Sequence, residues 1–92
     1  RRMDLDIVCA DRPGIVRRVS HALAALDVNI RELESWTERA AMSGEPTFRA
    51  RAVVDVPETL DPQVLEEHLH VIENELMAEI GTSAHPDDSA AA

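Results

Sequence analysis

The apolar residues of this chain change their spacing across one short punctuation, and that change constrains the fold more than any other feature. From Met3 through Leu5 and Ile7 to Cys9 they recur at every second position, with Asp4 and Asp6 between them. Alternation of this kind is a strand with one buried face. Val8 and Ala10 make the end of the strand apolar on both faces. Asp11-Arg12-Pro13-Gly14 then interrupts the chain with turn and helix-start chemistry. Asp11 or a neighbour is expected to cap a helix, and Pro13 suits its first turn. Ile15, Val16, Val19, Leu23 and Leu26 follow at helical spacing, which predicts a helix through Asp27.

The second half repeats the switch. Val28 to Glu38 predicts a strand whose parity is broken, because Ile30 and Leu33 fall on opposite sides of a strict alternation. A bulge or face switch near Arg31-Glu32 reconciles them. Residues 39–46 form a loop around Ser43-Gly44 and Pro46. Phe48, Ala50, Ala52, Val54 and Val56 then alternate with polar residues, the clearest strand of the chain. Pro57 ends it. Asp61-Pro62 opens a second helix, with Asp61 as cap and Pro62 in the first turn. Leu65, Leu69, Ile72 and Leu76 carry its stripe. Periodicity alone runs this helix to Ile80. The alternative breaks it near Asn74 and makes Leu76–Thr82 a fourth strand.

The order β-α-β-β-α, with room for a final β, is a split βαβ. It implies an α+β, ferredoxin-like βαββαβ sandwich. Four antiparallel strands carry two helices on one face and leave the other face free. A single domain over residues 1–82 is expected, with a small, polar, disordered tail over 83–92. A chain of 92 residues buries roughly 60–65% of its extended surface, enough for one aliphatic core.

Charge excludes several function classes. Nine arginines are the only basic side chains besides histidine, and all lie between Arg1 and Arg51. That stretch has a net charge of about +1, whereas residues 52–92 carry ten acids and no base. Without lysine there is no Schiff base and no lysine-bearing phosphate loop. A net charge of −9 opposes phosphate neutralisation, so direct binding to nucleic acid is not expected. With Trp36 and Phe48 as the only aromatic residues, stacking platforms for single strands are missing as well. No apolar run approaches the ~20 residues of a membrane span. One cysteine, Cys9, permits no internal disulfide and fits a reducing, cytoplasmic setting. No secretory leader is visible, and the start Arg1-Arg2-Met3 suggests a fragment or processed piece of a longer chain.

Cys-Ala-Asp-Arg-Pro-Gly-Ile-Val (9–16), a helix of suitable length, and Asp-Val-Asn-Ile (27–30) together resemble the signature of ACT domains, small ligand-sensing modules of βαββαβ fold. The loop Ala40–Pro46 followed by Phe48, and Val56-Pro57 before the second helix, are similar to the glycine cleavage system transcriptional repressor group. The resemblance covers about residues 3–82. It implies a fourth strand at Leu76–Thr82 and the strand order 4-1-3-2. Asp4 and Asp6 would then share the free sheet face with Arg49 and Arg51.

The resemblance also implies a ligand site at Asp11, Arg12, Pro13, Gly14, Ile15, Asn29 and Ile30. Gly14 lets backbone approach a ligand, and free amides at a helix start hold a carboxylate. The Asn29 side chain offers an oxygen to an ammonium. The alternative is a turn and cap with no ligand. Such sites sit between neighbouring domains, so one chain holds only part of one. The implied role is non-enzymatic: binding of a small amino acid, glycine among them, with action through a second ACT domain and a transcription factor. A second reading is the regulatory segment of an enzyme such as a formyltetrahydrofolate deformylase or a phosphoserine phosphatase. A third is a ligand-free dimerisation unit. No cofactor, metal ion or catalytic residue is expected. His68 and His70 leave a helix in different directions, and Cys9 belongs to the inward set. The acidic run Glu66, Glu67, Glu73 and Glu75 is either a solvated face or a docking surface for a basic protein, and Trp36 lies either on an exposed edge or over the core margin.

Overall fold

Alternation in the strands and helical spacing in the two helices meet at a single interface. The computed structural model describes residues 1–86. Its elements are β1 (Arg2–Ala10), α1 (Ile15–Ala24), β2 (Asn29–Arg39), β3 (Pro46–Asp55), α2 (Pro62–Leu76) and β4 (Glu79–Ala84). All strand pairs are antiparallel, in the order β2-β3-β1-β4. This is the ferredoxin-like sandwich, with β1 and β3 at its centre.

Leu5, Ile7 and Cys9 of β1 and Phe48, Ala50, Ala52 and Val54 of β3 point to the helices and are buried. Ile15, Val19 and Leu23 of α1 and Leu65, Leu69 and Ile72 of α2 close over them. No polar or charged residue is buried among those described. Burial of these aliphatic side chains is the main favourable term, each contributing about 1.5–3 kcal/mol relative to exposure.

The break in β2 is a bulge. Ile30 pairs with Val54 and Leu33 with Ala52, and the register shifts between Ile30 and Glu32. Leaving Arg31 as the extra residue puts Ile30 and Leu33 on the same, helix-facing side. The bulged Arg31 turns its guanidinium to Asp55, 3.0 Å away, and Arg2 approaches the same carboxylate at 3.4 Å. Asp55 thus ties β1 and β2 to the end of β3.

Both helices end in one way, which moved two boundaries. Periodicity carried α1 to Asp27, but the helix stops at Ala24 and Asp27 takes a left-handed φ of 58°. The N–H of Val28 returns to the carbonyl of Leu23 and that of Asp27 to Ala24, each at 3.0 Å. This is a Schellman motif with aspartate in the place that glycine usually fills. After Leu76 it recurs: Met77 has φ 51°, and the N–H of Ala78 reaches the carbonyl of Glu73 at 3.0 Å. In each case the next residue, Val28 or Ala78, is buried. The fourth strand therefore exists, as the family resemblance implied, but starts at Glu79 and runs to Ala84. It passes two residues beyond the expected domain end at 82. Of the expected tail, Ser83 and Ala84 are strand, and the N–H of His85 bonds to the carbonyl of Arg2 at 3.2 Å. Residues 87–92 lie outside those described.

The second helix starts as read: the Asp61 carboxylate accepts from the N–H of Gln63 at 2.9 Å, with Pro62 beside it. The first does not. Gly14, at φ 85°, is its N-cap, and no side chain caps it. Asp11 stands too far back in the turn. Its backbone N–H instead donates to the carbonyl of Pro46 at 3.2 Å, docking the β1–α1 loop on the start of β3.

On the free face, Asp6 and Arg51 are directly paired, with Oδ1 and Nε 3.3 Å apart. The rest of the expected set divides differently. Asp4 meets Nδ1 of His85 at 2.6 Å, and Arg49 pairs with Glu38 on β2. Trp36 lies opposite Arg49 on this face, 43% exposed, and so not over the core.

Candidate functional site

The loop Asp11-Arg12-Pro13-Gly14 emerges where β1 ends under the helix layer, and all four residues are exposed. Gly14 needs its freedom: at φ 85° an L-residue is strained, although a Cβ there would meet no atom within 4 Å. Because no side chain caps α1, its first-turn N–H groups face the loop without a side-chain acceptor. The positive end of a helix with open donors attracts a carboxylate.

The other expected residues divide by position. Ile15 is buried, 3% exposed, and anchors the start of α1 in the core. Arg12 is already engaged, its guanidinium donating to the carbonyl of Leu76 at the end of α2. Asn29 is exposed but stands at the far end of the sheet, opposite Asp55. The loop is fixed near Pro46, at the other end of β3. Those ends are separated by a ten-residue strand, roughly 30 Å at about 3.3 Å per residue. Within one chain, Asn29 and the Asp11–Gly14 loop therefore do not meet. Ile30, next to Asn29, is half-buried.

Sequence reading missed a small apolar depression between α1 and β2. Ile15, Val16 and Val19 of α1 face Ile30 and Leu33 of β2 across a shallow apolar groove. Beyond Asn29 and Ile30, every residue of β2 is exposed, Leu33 to 41%. As an edge strand, β2 also presents one row of unpaired backbone groups. The broken parity of β2 was the available signal, since an alternating apolar face is missing from that strand.

Nothing at the loop has the character of a nucleophile. Burial pushes the Cys9 thiol above its ordinary range; the Arg12 charge draws it down and Asp11 raises it. Among the described residues no three histidine, cysteine or acidic side chains are grouped to hold a metal ion. His68 Nδ1 contacts the Val64 carbonyl, and His70 faces Glu73. Among the described residues no helix is long and apolar enough to cross a membrane.

Comparison with known proteins fits this frame. A protein of unknown function from Galdieria sulphuraria superposes with a TM-score of 0.81 and 32% identity, over 92% of this chain and 49% of that one. A formyltetrahydrofolate deformylase from Pseudomonas putida KT2440 gives 0.77 and 19%, over 92% of this chain and 29% of that one. A candidate glycine cleavage system transcriptional repressor gives 0.62 and 19%, over 92% and 47%. The chain thus spans about half the length of the first and less than a third of the second. No curated protein matches it. The family model described as ACT domain matches residues 3–74, which include the loop, both helix starts and three of the four strands. The chain belongs to the ACT domain family.

Proposed function

We propose that the chain is a non-enzymatic regulatory ACT module that binds a small amino acid at an interface between two ACT domains. Glycine is the first candidate ligand. The observation that carries this reading is the separation of Asn29 from the Asp11–Gly14 loop along a sheet whose β2 edge is open. Two such edges pairing antiparallel about a two-fold axis set the start of one β2 beside the end of the other. Arg39, at that end, pairs with Pro46, and Pro46 holds the loop through Asp11. The partner copy's Asn29 therefore comes to the loop of the first, and two equivalent sites form. The open amides before α1 take the ligand carboxylate, and Asn29 from the other copy takes the ammonium. Gly14 keeps the approach open.

A ligand that bridges two domains favours the paired arrangement, and so acts by population shift. The readout is through a protein partner such as a transcription factor, as part of a glycine cleavage system repressor; the strongly acidic surface opposes direct contact with DNA. The second ACT domain is either another copy or a tandem neighbour. We place the module in the cytoplasm, on its cysteine content. A second reading makes it the regulatory segment of a formyltetrahydrofolate deformylase, favoured by the superposition on such an enzyme.

Isothermal calorimetry with glycine, serine and alanine at millimolar concentration tests the sensor role. Heat with one of them, lost in Asn29→Ala, supports it. No heat with any small amino acid contradicts it.

A further inference from the structure

The C-terminal end of α2 has no basic residue in its own last turn. Its carbonyl end, carrying the negative pole of the helix, is met by arginines from elsewhere. Arg12, from the β1–α1 loop, donates to the carbonyl of Leu76. Arg18, on α1, grips Glu75 with two hydrogen bonds. Within the turn itself, Glu73 makes further attachments. Its carbonyl accepts from Ala78, and its carboxylate accepts from the N–H of Ile80 at 2.9 Å. Between these attachments sits Met77, left-handed and 85% exposed.

We propose that Arg12 is a positioning residue that makes the β1–α1 loop and the α2–β4 turn one mechanical unit, so that a disturbance of either is felt at the other. Among the described residues Arg12 carries the one hydrogen bond from loop residues 11–14 to α2 or β4, next to the Arg18–Glu75 pair that ties α1 to the same end of α2. A guanidinium on a neutral carbonyl is held less firmly than one on a carboxylate. An anion arriving at the amides before α1 therefore competes for Arg12 and loosens the turn. This last step rests on the proposed amino-acid site, whereas the mechanical link itself does not. The exposed Met77 would then report the state of the loop on the surface next to the acidic helix.

Backbone amide exchange by nuclear magnetic resonance, on the full chain without ligand, tests the link. Arg12→Ala is expected to speed exchange at Met77, Ala78 and Ile80 at least fivefold, with Ala50 and Ala52 of β3 within twofold of the original protein. Arg12→Lys should recover part of the protection. Gly14→Ala, which strains the loop at positive φ, should speed the same three amides. Combined with Arg12→Ala it should add nothing further. If Gly14→Ala also accelerates the β3 amides, Pro13→Ala replaces it as the loop disturbance. Unchanged exchange at 77–80 in Arg12→Ala overturns the proposal, as do additive effects in the double variant. Because no ligand enters this experiment, a failed glycine titration leaves its result intact.

Discussion

Arg18 lays its guanidinium flat on Glu75, with Nε 2.7 Å from Oε2 and Nη2 2.8 Å from Oε1. Together with Arg2 and Arg31 on Asp55, this pair joins the arginine-bearing half of the chain to the acidic half. The hydrogen bonds from Arg18 draw the Glu75 carboxyl below its ordinary range, and those from Arg31 do the same to Asp55, with Arg2 helping. A carboxyl whose pKa is lowered in the fold stabilises it above the unfolded pKa, and that contribution is lost as pH falls through the folded value. Melting temperature should thus decline as pH drops below the ordinary carboxylate range, near 4.5 for Glu75 and 3.8 for Asp55. Glu75→Gln and Asp55→Asn together should flatten that decline without altering the curve near pH 7 to 8 in shape. A decline as steep in the double variant would contradict this assignment.

Met77 and Asp27 occupy left-handed positions that an L-residue reaches at a cost of about 1–2 kcal/mol. Glycine avoids that cost but loses roughly 0.4–1 kcal/mol through the freedom of the unfolded chain. Met77→Gly should therefore stabilise the domain by about 0.5 kcal/mol, a rise in melting temperature of about 2–4 °C. Met77→Val, branched at Cβ, should lower it. Calorimetric melting of the three proteins checks the order, and a fall on Met77→Gly would rule out left-handed strain as the dominant effect at this turn.

Leu23 and Leu33 separate the core from the open edge. Leu23 is 1% exposed between α1 and the sheet, and Leu33 is 41% exposed on β2. Leu23→Ala should cost about 3 kcal/mol in urea unfolding, the usual scale for a fully enclosed leucine. Leu33→Ala should cost less than about 1 kcal/mol in the monomer but weaken self-association, seen as a shift to monomer in sedimentation. Equal losses for the two in the monomer would mean that the β2 edge is covered from within the chain.

Much of this fold was legible because the period of the apolar residues reports which face is buried. The strands β1 and β3, the stripes Ile15-Val19-Leu23 and Leu65-Leu69-Ile72, the bulge at Arg31 and the Asp61 cap all follow from spacing and turn chemistry. The helix ends did not. Leu26 and Ile80 continue a helical period, and the stops are backbone conformations at Asp27 and Met77, where glycine would have marked them. The fourth strand was one of two readings of Leu76–Thr82, and the family resemblance decided between them. Asp11 misled as a cap because an aspartate near a helix start satisfies the pattern wherever its carboxylate points. The candidate site was half legible: the loop and its open amides could be located, but distances across a sheet depend on register. That Asn29 and Gly14 lie at opposite ends, and that Arg12 is spent on Leu76, needed the three-dimensional arrangement.

The central claim, a site shared between two copies, is tested most directly by mixing defective chains. Asn29→Ala and Gly14→Ala proteins, each deficient in glycine binding alone, are unfolded together, refolded and titrated calorimetrically. A mixed dimer assembles one intact site, with the loop of the Asn29→Ala chain facing Asn29 of the other. Random pairing makes about half of the dimers mixed, so the account predicts that glycine binding returns to about one quarter of the original stoichiometry per chain. Binding that stays absent in the mixture, while each refolded protein is native by circular dichroism and dimeric by sedimentation, would contradict it.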